Sequence, residues 1–216
     1  MGESDMTKKF NNVDSIIFDL DGTLWDSRKE VASAWSEIMG EYNYKRKSIT
    51  FDEVNDLMGK TIDEIEDILY PELPKQKRVE ILDRCGQNEI SYLSKHGAKL
   101  FDNLENTLDK LSKKYRLFIV SNCQPGYIET FLDYYKLNKY FEDHECPKSP
   151  EIVKSDNIKL ITKRNKLKNP VYVGDTQGDA NATKDAGLEF VFASYGFGNV
   201  DKYQYKIEKI EDLLEL

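Results

Sequence analysis

Four short apolar runs, each ending in polar residues, limit what this chain can fold into more than any other feature. They are VDSIIFDL (Val13–Leu20), RLFIVSN (Arg116–Asn122), PVYVGD (Pro170–Asp175) and EFVFAS (Glu189–Ser194). Each is too short for a buried helix and reads as a strand carrying polar groups at its carboxyl end. Segments with helical spacing surround the later runs: Leu104–Leu111, Pro125–Tyr135, Ser155–Asn165 with Ser155 as N-cap, and Asp179–Ala186 closed by Gly187. A short extended segment is expected near Asp143–Cys146. Strands alternating with helices imply βαβ units and a parallel sheet.

The interval after the first run differs. From Ser27 to about His96 apolar residues recur only at helical spacing, with breaks at Gly40, Gly59, Pro71 and Pro74. The expected architecture is therefore an open α/β domain interrupted after its first strand by a helical insertion. Open sheets bind ligands beyond the carboxyl ends of their strands. The residues just after each apolar run are the candidates for chemistry.

Composition narrows the partners. Lys and Arg number 31 against 39 Asp and Glu, a formal net charge of −8, which disfavours a nucleic-acid-binding surface. No apolar run approaches the roughly 18 residues needed to span a bilayer, and MGESDMTKKF has no apolar export segment. Cys85, Cys123 and Cys146 show no CxxC spacing and suit a reducing compartment. With only His96 and His144, a His-based zinc site or a Ser-His-Asp triad has little to draw on. The expectation is a soluble cytoplasmic monomer without membrane or nucleic-acid partners.

Asp19-Leu20-Asp21-Gly22-Thr23 follows the first run directly. Two carboxylates at i and i+2 leave a strand on one side and repel unless a cation or a proton intervenes. A chance DxDGT is expected about once per thousand chains of this size; an exposed acidic turn is the alternative. Ser121-Asn122 follows the second run, where a hydroxyl and free N–H groups suit a phosphoryl oxygen, or Ser121 is an ordinary helix cap. In Gly174-Asp175-Thr176-Gln177-Gly178-Asp179 both acids can face one pocket, or they are ordinary first-turn acids. Lys154, before that strand, could neutralise a phosphate or a carboxylate, or be a solvated surface lysine.

In this order, the DxDGT, strand-end Ser, Lys and GDxxxD pieces resemble the haloacid dehalogenase-like (HAD) hydrolase superfamily over nearly the whole chain. DLDGTLWDS, IVSN, KSDNIKLI, YVGDTQGDANATKDAG and FASYGFG resemble its phosphoglycolate phosphatase-like branch. The resemblance implies a Rossmann-like parallel-sheet core of residues 1–26 and 97–216, with residues 27–96 as an α-helical cap domain. It implies Asp19 as nucleophile, forming a transient aspartyl-phosphate, and Asp21 as general acid and base. Mg²⁺ would be held by Asp19, the backbone carbonyl of Asp21, and Asp175, with Asp179 supporting it directly or through water. Thr23, Ser121, Asn122 and Lys154 would hold the phosphoryl group. Lys148 in CPKSP resembles the family's Lys-Pro variant, but Lys154 is preferred because it opens the helix containing Asn157 and Ile158. Asn103 stands where a glycine often precedes the post-cap helix.

The leading expectation is a Mg²⁺-dependent phosphatase acting on a small phosphorylated metabolite. A sugar-phosphate mutase is the alternative, although mutase relatives usually carry Val at the position of Thr23. Asp21 argues against a dehalogenase. A non-catalytic binding protein on the same scaffold is the reading from another class. Lys60, in Gly59-Lys60-Thr61, is read first as a solvated lysine before a helix, and Trp25 and Trp35 as packing or hinge residues.

Overall fold

The computed structural model describes residues 12–149 and 151–215; the amino-terminal stretch read above for an export signal lies outside them. Strand β1 (Ser15–Phe18) is the first of the apolar runs, trimmed at both ends. It sits at the middle of a six-stranded, all-parallel sheet. β4 (Arg116–Val120) and β6 (Pro170–Gly174) flank it; β5 (Asp143–Glu145) lies outside β4, and β7 (Glu189–Ala193) then β8 (Tyr205–Ile207) lie outside β6. The chain leaves β1 towards β4 on one side and later returns to β6 on the other. The strand order reverses at β1, and a crevice opens there at the carboxyl edge.

Period-two alternation sorts the strand residues onto two faces. Ile16, Phe18, Leu117, Ile119, Val171, Val173 and Val191 join one buried cluster. Ile17, Phe118, Val120, Tyr172, Phe190 and Phe192 join the other. α5 (Leu104–Leu111) and α6 (Tyr127–Tyr135) contribute to the first cluster, α7 (Lys154–Arg164) and α8 (Gln177–Ala186) to the second. Both faces of the parallel sheet are covered, which is why its strands are apolar on both sides.

Between β1 and β4 four helices form a third buried cluster: α1 (Arg28–Glu41), α2 (Phe51–Leu57), α3 (Ile62–Leu69) and α4 (Lys75–His96). α2 and α3 begin with capping boxes, Thr50 with Glu53 and Thr61 with Glu64. α1 runs through Gly40, so that break comes one residue later than the glycine suggests. The segment is bracketed by β2 (Trp25–Asp26) and β3 (Lys99–Leu100), an antiparallel ribbon of two residues per strand. Two departures from sequence expectation stand out. Ser155 is not an N-cap: α7 starts one residue earlier, after extended Val153, which puts Lys154 in its first turn. α8 starts at Gln177 rather than Asp179, because Thr176 caps it in a box with Asp179. Among the described residues no helix is long and apolar enough to cross a membrane.

Candidate active site

The acidic cluster is built from the ends of the central strands. The Asp19 backbone N–H donates to the Val173 carbonyl at 2.8 Å, which fixes the residue at the crevice between β1 and β6. Lys154 Nζ, from the first turn of α7, donates to Asp19 Oδ1 at 2.7 Å and to Asp179 Oδ1 at 2.5 Å. Asp179 Oδ2 accepts from the backbone N–H groups of Asp175 and Thr176 and from Thr176 Oγ1, at 3.2, 3.0 and 2.8 Å. One capping box therefore starts α8 and aims the carboxylate. Asp175 Oδ2 accepts the Phe197 N–H at 2.7 Å and the Gly198 N–H at 3.4 Å, from the loop after β7.

Two glycines permit this closeness. Gly22 has φ +82°, and a Cβ there would overlap the Asp175 carboxylate. At Gly196 a Cβ would overlap both Asp175 and the Gly22 carbonyl.

Asp19, Asp175 and Asp179 each offer an oxygen within 4.8 Å of the others, and all three are buried. Asp175 Oδ1 is a buried acceptor with no hydrogen-bond partner. Three carboxylates against one ammonium leave surplus negative charge in a dry site. Hard oxygen donors with an orphaned carboxylate oxygen fit a small divalent cation such as Mg²⁺. The ionisations reflect the same imbalance. Burial pushes Asp19 up to about 7 despite Lys154, and pushes Asp175 well above the carboxylate range, with the Asp179 and Asp19 charges adding to it. Burial disfavours the Lys154 charge, but Asp179 and Asp19 outweigh it and hold the ammonium firmly protonated.

The Asp21 carboxylate faces elsewhere. Its Oδ1 accepts from Ser27 Oγ at 2.5 Å and from Tyr127 Oη at 3.0 Å. Burial raises it to about 6, against the lowering pull of those two hydroxyls. It titrates about one unit below neutrality and stands outside the Asp19, Asp175 and Asp179 group.

A cavity of about 760 Å³ opens over this floor. Asp19, Asp21, Ser121, Asn122 and Lys154 line it from the sheet, and helices α1 to α4 supply the opposite wall. Asp175 and Asp179 lie behind that lining. Thr23, expected among the phosphate ligands, is fully buried, its hydroxyl makes no hydrogen bond, and it is not part of the cavity wall. Lys148 is at the rim with its side chain 68% exposed, paired with Glu145 at 3.4 Å. Across the opening Asn122 Nδ2 donates to the Gly59 carbonyl at 3.4 Å, and Gln124 Nε2 donates to Glu89 Oε2 at 3.0 Å. The Arg28 guanidinium lies 3.8 Å from the centre of the Phe197 ring and 4.6 Å from that of Phe51. Trp25 is buried in the core against Tyr127 and Phe131, whereas Trp35 lines the cavity.

Sequence reasoning did not single out Ser27, Glu89 or Tyr127, and it placed Tyr195-Gly196-Phe197-Gly198 at the border of the opening without giving Phe197 a role. For Phe197 a signal existed: the glycines of Tyr195-Gly196-Phe197-Gly198, directly after a strand, mark a close backbone approach. Ser27 and Tyr127 are ordinary residue types whose roles come only from being brought beside Asp21.

Residues 16–193 match the model of the haloacid dehalogenase-like hydrolase family, and the chain belongs to that family. Within it, the sequence stands with the phosphoglycolate phosphatase-like branch. It is 26% identical over 213 residues to a phosphoglycolate phosphatase of Aquifex aeolicus, covering 93% of this chain and 95% of that one. It is 25% identical over 211 residues to a phosphoglycolate phosphatase of Aliivibrio fischeri, covering 88% of each. The fold superposes on a haloacid dehalogenase-like family hydrolase of Streptococcus pneumoniae with a TM-score of 0.80 at 22% identity, covering 94% of this chain and 97% of that one.

Proposed function

We propose that the chain is a Mg²⁺-dependent phosphatase that hydrolyses small phosphomonoesters through a phosphoaspartate on Asp19. The observation that carries this is the pairing of Asp19 with Lys154 at the floor of a cavity, directly in front of buried Asp175 and Asp179. The phosphoglycolate phosphatase relatives support phosphomonoester hydrolysis.

Asp19, Asp175 and Asp179, with the backbone carbonyl of Asp21, are the groups that would hold the metal, which supplies positive charge against the phosphoryl oxygens. In the first step an Asp19 carboxylate oxygen attacks phosphorus and the ester P–O bond breaks. Asp21, whose raised ionisation keeps a proton available near neutrality, passes that proton to the departing oxygen. In the second step Asp21 takes a proton from water as the water oxygen attacks phosphorus. The P–O bond to Asp19 then breaks, releasing orthophosphate and restoring the carboxylate. Lys154, with Ser121 and Asn122, balances the phosphoryl charge. Residues 27–96 act as a cap that excludes water and meets the leaving group. The enzyme works as a monomer on a small phosphorylated metabolite.

Turnover of p-nitrophenyl phosphate tests this. Activity is expected with Mg²⁺, its loss in EDTA, and no turnover by Asp19→Asn. Acid-stable, hydroxylamine-sensitive phosphate on the wild-type protein is expected under rapid quench. Equal turnover by Asp19→Asn would overturn the nucleophile assignment.

A further inference from the structure

Glu89 lies on α4, only 5% exposed, where the helical segment faces the carboxyl edge of the sheet. Its Oε2 accepts two hydrogen bonds, from Trp35 Nε1 at 2.9 Å and from Gln124 Nε2 at 3.0 Å. Both donors sit on the same oxygen, so the carboxyl group is held in one orientation. Oε1 accepts no hydrogen bond from the described residues, and Glu89 is part of the cavity lining. Val31, Trp35, Leu82 and Ile90 give the cavity apolar surface near Glu89, while Asp63, Glu66, Asp83 and Glu151 are further acids of the lining. Glu89 accepts from Gln124 and Asp21 from Tyr127, three residues further along the segment after β4. Glu89 is therefore on the side of the cavity where a leaving group is protonated.

The cations of the lining are mostly committed. Lys154 is held by Asp19 and Asp179, Lys75 by Asp63 at 2.7 Å and Glu66 at 2.8 Å, and Lys148 by Glu145. No arginine lines the cavity among the described residues. Lys60 remains, in the turn whose Gly59 rests on Asn122.

Resting on the phosphatase reading, we propose that Glu89 selects the leaving group. The substrate is a phosphomonoester whose alcohol portion carries a hydrogen-bond donor, hydroxyl or ammonium, that meets Glu89 Oε1, and not a carboxylate. The physical reason is the unpaired, cavity-facing oxygen. A substrate that fills the cavity displaces water from Oε1, and an acceptor cut off from water is costly to leave without a donor. Burial pushes Glu89 up to about 7, so at pH 8 it is ionised and a carboxylate at that end would add a third anion beside Glu89 and Asp21 in a poorly solvated space. A hydroxyl or an ammonium group satisfies Oε1, and the aliphatic remainder packs on the apolar surface.

Matched two- and four-carbon alkyl phosphates ending in methyl, hydroxyl, ammonium or carboxylate test this at pH 8 with Mg²⁺. The hydroxyl or ammonium member is expected to exceed the carboxylate member at least tenfold in kcat/KM. In Glu89→Gln, the ratio of ammonium to carboxylate substrates is expected to fall at least tenfold; in Lys60→Met it stays within threefold. A ratio compares two substrates on one protein, so a partly unfolded sample does not move it. Should Glu89→Gln not fold at all, the wild-type ranking decides alone. A carboxylate preference in the wild type, a ratio that survives Glu89→Gln, or a collapse in Lys60→Met instead would each overturn the assignment while leaving the phosphatase reading intact. A wild type inert towards p-nitrophenyl phosphate would refute both.

Discussion

Replacing Asp19 by Asn takes one negative charge from a buried group of three carboxylates and one lysine while keeping the side-chain volume. In the metal-free protein this substitution should stabilise the fold. The Asp19 carboxyl rises from 3.8 to about 7 on folding. Its folded value is above its unfolded one, so the folded chain keeps a proton that the unfolded chain sheds near pH 4. Stability therefore falls as pH climbs from about 4 to about 7, and the full deficit stands above 7. At about 1.4 kcal/mol per tenfold change in ionisation, the deficit is about 4 kcal/mol. That balance already contains the Lys154 ion pair, and with partial relaxation of the site a net gain of about 2–4 kcal/mol is expected at pH 8. For a chain of this size that is about 4–16 °C in Tm. Differential scanning calorimetry in EDTA should show the variant melting higher at pH 8, with the gap less than half as large at pH 5. Mg²⁺ should raise the wild type more than the variant and narrow the difference. A variant that melts at or below the wild type at pH 8 in EDTA would refute the electrostatic account of the site.

Lys154→Met should lower kcat/KM at least about a hundredfold, whereas Lys148→Met should change it less than about fivefold, because only the former touches Asp19; the reverse ranking in steady-state kinetics would return the phosphate role to Lys148. Asp21 must be protonated to act as an acid, and burial raises it to about 6, so the chemical step for poor leaving groups should slow above that pH. Asp21→Asn should remove that alkaline limb and stall after forming phosphoenzyme from p-nitrophenyl phosphate; sustained rapid turnover would contradict the assignment. Gly22→Ala forces a left-handed backbone on Ala and a Cβ into Asp175, so Tm should drop by several degrees and Mg²⁺ affinity weaken at least about tenfold by calorimetry. Unchanged Mg²⁺ affinity would show that Asp175 does not depend on that close approach.

The parallel sheet and the helical insertion were legible because their signals are local. Runs such as RLFIV and PVYVG are apolar on both faces, and the strand-end Asp19, Ser121 and Asp175 fall where such sheets place chemistry. The two-residue strands Trp25–Asp26 and Lys99–Leu100 carry no period to read, and Tyr205–Ile207 is short and interrupted by Lys206. The start of α8 was readable in principle from Thr176 and Asp179, three apart, but the acids drew attention to themselves as ligands rather than as a cap. Asn103 shows the opposite case. It holds φ +57° before α5, a left-handed conformation that Asn tolerates better than most residues, which accounts for Asn at this position. What no pattern in one sequence could reveal is the company of Asp21 and Glu89. Ser27, Tyr127, Trp35 and Gln124 reach them from as far as 106 residues away, and such contacts exist only once the helices have packed.

The ribbon of Trp25–Asp26 against Lys99–Leu100 has a consequence for how such enzymes diversify. Because those strands pair with each other, the polypeptide departs from the sheet and rejoins it across a single ladder, about 5 Å wide. Whatever lies between needs only neighbouring ends to be grafted there, and neither the six-stranded platform nor its acids would have to adjust. On the proposed reading, the wall that meets the leaving group would be exchanged as a module while the acids stay with the scaffold.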